Sequence, residues 1–401
     1  MSPYPGNPNS RPTELCWVLN GPYDIIGGAG NRFRTEVEYF FKSNISVSVI
    51  CRRSAIRPPV LSSYLRIPTK LLPFFLLELF LRTSHEASRK RRIAFIVHDP
   101  ISSIPIALAS RLFRKYSRTF LVVHGPMSLE QQWLAKSFLK RAIIGLSLLL
   151  LETIAYTLVD KLLAVSEYEV NYLGERFGLK DKVHMIRNGI PIERFAKFSR
   201  SQFREEVGVG PKEILIVNLG HLYTYRGLSN LLEALSLVRM RASEVARPLL
   251  VVVGGEKGSA ANYSRYKTEV ETFGIEDLVT FVGDRKDIPN ILRAADIYAE
   301  RFSRQVNGIG IAIMEAMAAG LPVITGADWI TSRLLHDGKD CLLVKKEDGT
   351  AIAEGIIALS QDPMLRKTLG LNAQKTAAAL FSVEGMLKQC EHEYIESAFP
   401  V

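Results

Sequence analysis

The stretch NGIGIAIMEAMAAGLPVIT, from Asn307 to Thr325, sets a glycine-flanked turn before a short apolar helix carrying one acid, Glu315. The first N–H groups of a helix have no internal partner, and the helix dipole adds partial positive charge there. Such an end suits phosphate. Gly308 and Gly310, alternating with Ile309 and Ile311, let a ligand come close to the backbone. Glu315 lies two turns in. A carboxylate accepts hydrogen bonds from two hydroxyls at once, which suits a vicinal diol such as a ribose. The plainer reading is a helix that packs through its small residues, with Glu315 at its wet edge.

A second candidate anion site is NLGHLYTYRGLSNLLEAL, residues 218–235. A strand ends at Gly220 and a helix is expected to begin near Arg226, so His221 and Arg226 fall at the carboxyl edge of a sheet. Open α/β sheets bind ligands there. Arg226 offers several donors to a diphosphate, although a surface arginine at a helix start gains nothing from the dipole. In the first half, GPYDIIGGAGNRF (21–33) sets Gly27 and Gly28 between a strand and a helix. VVHGP and VHDP set His124 and His98, with Asp99, just past strand ends. His124 is the better functional candidate of the two. The chain has no Asp-x-Asp pair, no Walker loop, no Gly-x-Ser-x-Gly elbow and no zinc-ligand spacing. Diphosphate chemistry without a metal would then rest on backbone dipoles and cations.

These residues need a scaffold of strands that end at one edge. LCWVLN (15–20), ISVSVIC (45–51), IAFIV (93–97), TFLVV (119–123), KLLAVS (161–166) and VHMIR (183–187) alternate with helical segments. Near-continuous apolar strands imply parallel sheets covered on both faces. NGIPIERF (188–195) interrupts the pattern, and it restarts with EILIVNLG, PLLVVVGG, LVTFVG, ADIYAE, LPVIT and CLLV. The expected fold is α/β with two Rossmann-like doubly wound domains. The expected boundaries are 1–195, 196–365, and a helical tail at 366–401 that crosses back to the first domain.

Charge is unevenly spread. Residues 1–200 hold 29 Lys/Arg against 15 Asp/Glu, and the remainder holds 22 against 26. The basic half suits an anionic partner. LLPFFLLELFL (71–81) stands close to RKRR (89–92), a pattern that fits an interfacial anchor on anionic lipid. Residues 142–159 are long and apolar enough to be tested as a membrane span, yet they lead directly into the strand KLLAVS. A helix on a domain face or a membrane surface is therefore expected. No nucleic-acid motif interleaves aromatics with the arginine clusters. The first dozen residues read as a polar lead-in without an apolar h-region, so a cytoplasmic location is expected. Cys16, Cys51, Cys341 and Cys390 lack metal-ligand spacing and read as free thiols.

Taken in order, GGAGNRF, VVHGP, LLAVSEYEVNYL, VHMIRNGIPIERF, NLGHLYTYRGLSNLLEAL, GIGIAIMEAMAAGLPVIT and DGKDCLLVKKEDGTAIAEGI resemble the family 4 glycosyltransferases of GT-B fold. The resemblance covers most of the chain. It implies a nucleotide-sugar donor on the second domain and an acceptor site on the first; the basic half and the apolar segments at 71–92 and 142–159 make a glycan or lipid-linked acceptor at a membrane surface the expectation. Transfer would run across the cleft they face, with retention at the anomeric carbon; the missing Asp-x-Asp pair adds the expectation that no metal or other cofactor takes part. It further implies that Glu315 holds the ribose, that Arg226 neutralises the leaving diphosphate, and that His124 faces the reacting sugar. Gly27 and Gly28 would form the turn that approaches donor phosphate or acceptor. Two positions depart from the family pattern. Asn307 stands where a first glutamate is usual, and His221 where arginine is common. An active transferase at the cytoplasmic face of a membrane is the main expectation. A non-catalytic partner subunit or a nucleotide-sugar epimerase are the alternatives.

Overall fold

The computed structural model describes residues 14–19, 28–43, 45–52, 63–67, 72–89, 92–125, 138–195, 201–241, 246–255, 260–304 and 308–399. They form two compact units, residues 1–189 with 385–401, and residues 190–384.

In the first unit β1 (Glu14–Leu19), β2 (Val47–Arg52), β3 (Ser63–Ile67), β4 (Ile93–Val97), β5 (Ser117–Val123), β6 (Lys161–Ala164) and β7 (Val183–Met185) form one sheet. Its order is β3-β2-β1-β4-β5-β6-β7, with every pairing parallel. Strand β3 is absent from the sequence reading. SYLRI is a short edge strand with polar residues among the apolar ones, so it lacks the continuous apolar run of a buried strand. The helices Leu72–Ser88, Pro100–Leu112 and Phe138–Leu158 pack side by side. They cover Cys16, Val18, Phe95 and Val97 on one face. The helix Gly28–Lys42 and the π-helical turn His392–Glu396 pack about Trp17 on the other. Among the described residues no helix is long and apolar enough to cross a membrane.

The second unit repeats the scheme. β8 (Ile214–Leu219), β9 (Pro248–Val253), β10 (Val279–Gly283), β11 (Ile297–Glu300), β12 (Val323–Gly326) and β13 (Leu342–Val344) lie in the order β10-β9-β8-β11-β12-β13, all parallel. Leu215, Val217 and Leu219 enter one apolar core, Ile214 and Ile216 the other. This alternation along one strand requires helices on both faces. Strand order reverses between β1 and β4 and between β8 and β11, and those switch points open the carboxyl-edge crevices where such sheets bind ligands.

The divisions differ from the expected ones at both ends of the second unit. The chain enters that unit at Ile190, whose N–H donates to the Phe381 carbonyl (2.8 Å), and Phe195 is buried in its core. The helix Pro363–Leu380 does not cross back. It stays in the second unit because Ala373 and Ala377 pack beside Ala316 and Met317 of the helix Ile311–Ala318. The return begins at Gly385, inside the helix Val383–Glu391.

Candidate active site

Strand β8 ends at Leu219, and Gly220 turns the chain at φ 138°. A Cβ at Gly220 would lie 1.8 Å from Nη1 of Arg226, so only glycine lets this guanidinium cross the end of the strand. Arg226 closes the 3₁₀ turn Thr224–Arg226, and the α-helix begins at Leu228. Its Nη1 donates to Oε1 of Glu300 (2.9 Å) at the end of β11. Glu300 is 2 % exposed, and its Oε2 accepts the Tyr298 hydroxyl (2.6 Å). The Arg226 side chain remains about a quarter exposed (26 %), which leaves it reachable by a ligand. The arginine expected to face a diphosphate is therefore anchored from below by a buried carboxylate.

The residue after Glu300 is Arg301, which adopts φ 68° although it is not glycine. Its side chain runs along Gly310, where a Cβ would come within 2.7 Å of Nε. Gly310 is the N-cap of the helix Ile311–Ala318 and carries no side-chain cap. The first amides of that helix are thus left to another partner. Gly308 turns at φ 74°, and its N–H donates to Oδ2 of Asp328 (3.1 Å). Asp328 also accepts Nζ of Lys346 (2.8 Å) and the amides of Ile330 and Thr331. These bonds hold its carboxyl below the ordinary range against the opposing effect of burial. The buried Asp328–Lys346 pair fixes one end of the glycine turn. Ile309 and Ile311 pack against the core and contribute backbone rather than side chain to the turn's outer face.

Glu315 projects from the same helix. Burial pushes its carboxyl up to about 7, Arg194 opposes that rise, and Glu300 adds to it. A carboxyl poised near neutrality is unusual away from functional sites. His221 is exposed at the edge beyond β8, its ring tilted against Tyr223 at 5.6 Å. Asn307 and Gly27 lie outside the described residues. Gly28 opens the helix Gly28–Lys42 in the first unit.

His124 follows β5 in the first unit, and its Nε2 is 2.9 Å from Nδ1 of His98, which follows β4. The imidazoles share one hydrogen bond, and His98 also meets the Phe33 ring edge-on at 5.6 Å. Burial, reinforced by Arg32, pushes His98 down to about 3. Burial, then His98 and Arg32, hold His124 well below its usual value. Both rings are therefore neutral at physiological pH, able to donate or accept a hydrogen bond but not to supply charge. Asp99 serves as N-cap, accepting from Ser102 N at 2.8 Å.

Arg226, Gly308, Gly310 and Glu315 belong to the second unit, and Gly28 and His124 to the first. Glu300 and Arg301 were not singled out in the sequence. The signal was a strand, ADIYAE, that closes on a carboxylate and is followed by arginine at a carboxyl edge. Its meaning depends on β11 lying next to β8, which no local pattern shows.

Two units with this strand order and crevices at the switch points define the GT-B class of glycosyltransferase folds. Solved structures agree. A sucrose-phosphate synthase from Thermosynechococcus elongatus superposes with TM-score 0.75 over 96% of this chain and 99% of its own, at 19% identity. HepE from Anabaena in complex with UDP-glucose gives 0.75 over 96% and 99%, at 17% identity. Residues 26–194 match the family model for Glycosyltransferase Family 4, and residues 199–376 that for Glycosyl transferases group 1. The chain belongs to the family 4-type glycosyltransferases. A mannosylfructose-phosphate synthase from Agrobacterium fabrum is 31% identical over 233 residues, 56% of this chain and 46% of that protein. A D-inositol 3-phosphate glycosyltransferase from Kribbella flavida is 28% identical over 54% of this chain and 52% of its own. The chain thus spans about half the length of these relatives.

Proposed function

We propose that the protein is a retaining glycosyltransferase. It moves a hexosyl group from a nucleotide-sugar to a hydroxyl of a glycan or lipid-linked acceptor at a membrane surface, without a divalent ion. The donor half is supported by Glu300, which bonds Arg226 and also acts on the near-neutral Glu315, in a helix that starts uncapped at Gly310. The bond from the anomeric carbon to the diphosphate breaks, and the acceptor oxygen bonds to that carbon on the same face. The acceptor proton passes to the departing phosphate oxygen. Arg226 and the helix amides stabilise the negative charge that builds there, while Glu315 accepts the ribose hydroxyls. The neutral His124 serves the sugar hydroxyls by hydrogen bonding. HepE, similar in fold, is solved with UDP-glucose, so UDP and its sugars come first in a donor panel with the GDP and ADP series.

Calorimetry in EDTA tests this reading. One nucleoside diphosphate should bind the wild type, and loss of binding or transfer in EDTA would overturn the metal-independent part. Binding to none of the panel would favour the non-catalytic partner, to which the exposed His221 is the pointer. The pH dependence is specific. Glu315 binds its proton more tightly in the folded chain than in the unfolded one. Its contribution to stability therefore falls as pH rises from about 4.5 towards 7 and is level above. Hydroxyl donors favour the ionised form, so nucleotide affinity should rise several-fold between pH 6 and 8. Glu315→Gln should flatten that rise. An equal rise in both proteins would place the titration elsewhere.

The membrane half rests on the three packed helices of the first unit. They leave Leu77, Leu81, Leu112, Leu146 and Leu150 exposed. Arg111 and Lys182 donate to the Thr157 carbonyl at one end of this layer. Apolar side chains beside cations suit anionic lipid. Co-sedimentation should be strong with anionic vesicles and weak with neutral ones, and Leu146→Glu with Leu150→Glu should reduce it roughly tenfold or more. Equal binding to both vesicle types would remove the membrane from the proposal.

A further inference from the structure

We infer that Arg301 is a second cation of the donor diphosphate site and takes the place that arginine at position 221 would otherwise fill. The inference rests on the donor reading of this site and adds a residue to it. Three observations lead there. First, Arg301 follows the last residue of β11, the strand next to β8, whose end Arg226 crosses. Arg301 adjoins Glu300 in the chain, Arg226 bonds Glu300 from the turn after β8, and the two guanidinium groups act on each other as like charges.

Second, the guanidinium of Arg301 is laid along Gly310, the uncapped start of the helix Ile311–Ala318. A cation at that end is opposed by the helix dipole. The backbone at Arg301 is itself left-handed at φ 68°, a conformation that costs a non-glycine residue about 1–3 kcal/mol. Burial, with Arg226 adding and Glu300 opposing, holds this guanidinium below the ordinary arginine value. Like charge at one point is what a polyanion relieves, while the left-handed backbone holds the guanidinium in place for it. A diphosphate seated between Arg226 and the helix amides brings the compensating charge within reach of Arg301 as well.

Third, His221 is exposed, with its ring set against Tyr223. The second positive charge at this edge comes from the neighbouring strand. A bidentate guanidinium suits two phosphate oxygens better than an imidazole.

The test compares the full-length wild type, Arg301→Gln and Arg301→Lys by calorimetry against UDP, GDP, ADP and inorganic pyrophosphate, with melting of each protein without ligand. The expected result is at least tenfold weaker binding of the preferred nucleoside diphosphate to Arg301→Gln. Its ligand-free melting temperature should be equal to or above that of the wild type, because a repulsive cation is gone. Unchanged affinity in Arg301→Gln overturns the inference while leaving the donor site standing. No binding of any probe to the wild type overturns both. If Arg301→Gln melts lower and also binds weakly, Arg301→Lys decides. Recovery of affinity with the restored charge supports the inference, and continued loss assigns Arg301 a packing role only.

Discussion

Arg226→Ala is expected to lower kcat/KM for sugar transfer by about a hundredfold or more, the usual effect of removing one donor that stabilises developing charge. The same change should lower stability by about 3 kcal/mol, because it removes the guanidinium bonded to Glu300, a carboxylate 2 % exposed that keeps the Tyr298 hydroxyl. The two losses have different origins and can be separated. Arg226→Ala combined with Glu300→Gln replaces the stranded charge by a neutral amide. This double variant should recover most of the melting temperature and none of the activity. If activity returns with stability, Arg226 acts only by holding β8 and β11 together. Arg226→Lys should fall between, since an ammonium keeps the charge but loses the fork that spans Glu300 and a phosphate.

The second large effect lies in the first unit. Glu36 is fully buried and is held by four groups: Nε1 of Trp17 (3.1 Å), Nε of Arg32 (2.7 Å), the Tyr394 hydroxyl (3.1 Å) and Sγ of Cys390 (3.5 Å). Arg32 in turn donates to the Ile186 carbonyl at 2.8 Å. Glu36→Ala leaves a buried guanidinium without its counter-charge and three donors, on Trp17, Tyr394 and Cys390, without an acceptor. The expected cost is about 3–5 kcal/mol. For a unit of this size that corresponds to a fall of roughly 10 °C in its melting transition. Hydrogen exchange should localise the damage, with protection lost first in residues 385–399. Arg32→Met with Glu36→Leu removes both charges and should recover much of the loss. A Glu36→Ala protein that melts with the wild type would show that the network contributes nothing.

Much of the fold was legible because parallel sheets buried on both faces impose continuous apolar runs. EILIVNLG and PLLVVVGG became β8 and β9 for that reason. SYLRI was not legible, since an edge strand escapes the requirement. The helix expected at Arg226 starts at Leu228, displaced by the left-handed Gly227. At the site, Gly308, Gly310 and Glu315 could be singled out because a turn, a helix start and an acid within an apolar helix are local patterns. Glu300, Arg301 and Asp328 could not, because each acquires its role from a strand or turn distant in sequence. The pairing of His98 with His124 was hidden likewise, as their residue spacing says nothing of β4 lying beside β5.

The return of the chain at Gly385 sets an order of events during synthesis. The first unit is the earlier to leave the ribosome, yet its last pieces, Cys390 and Tyr394, are made after the whole of the second. At about 5–20 residues per second the intervening stretch takes about 10–40 s. Throughout that interval the Trp17 indole and the Glu36 carboxylate stand without two of their eventual neighbours. The nascent protein therefore carries an unfinished domain that waits upon a finished one, and that waiting time is when a chaperone would find the most to hold.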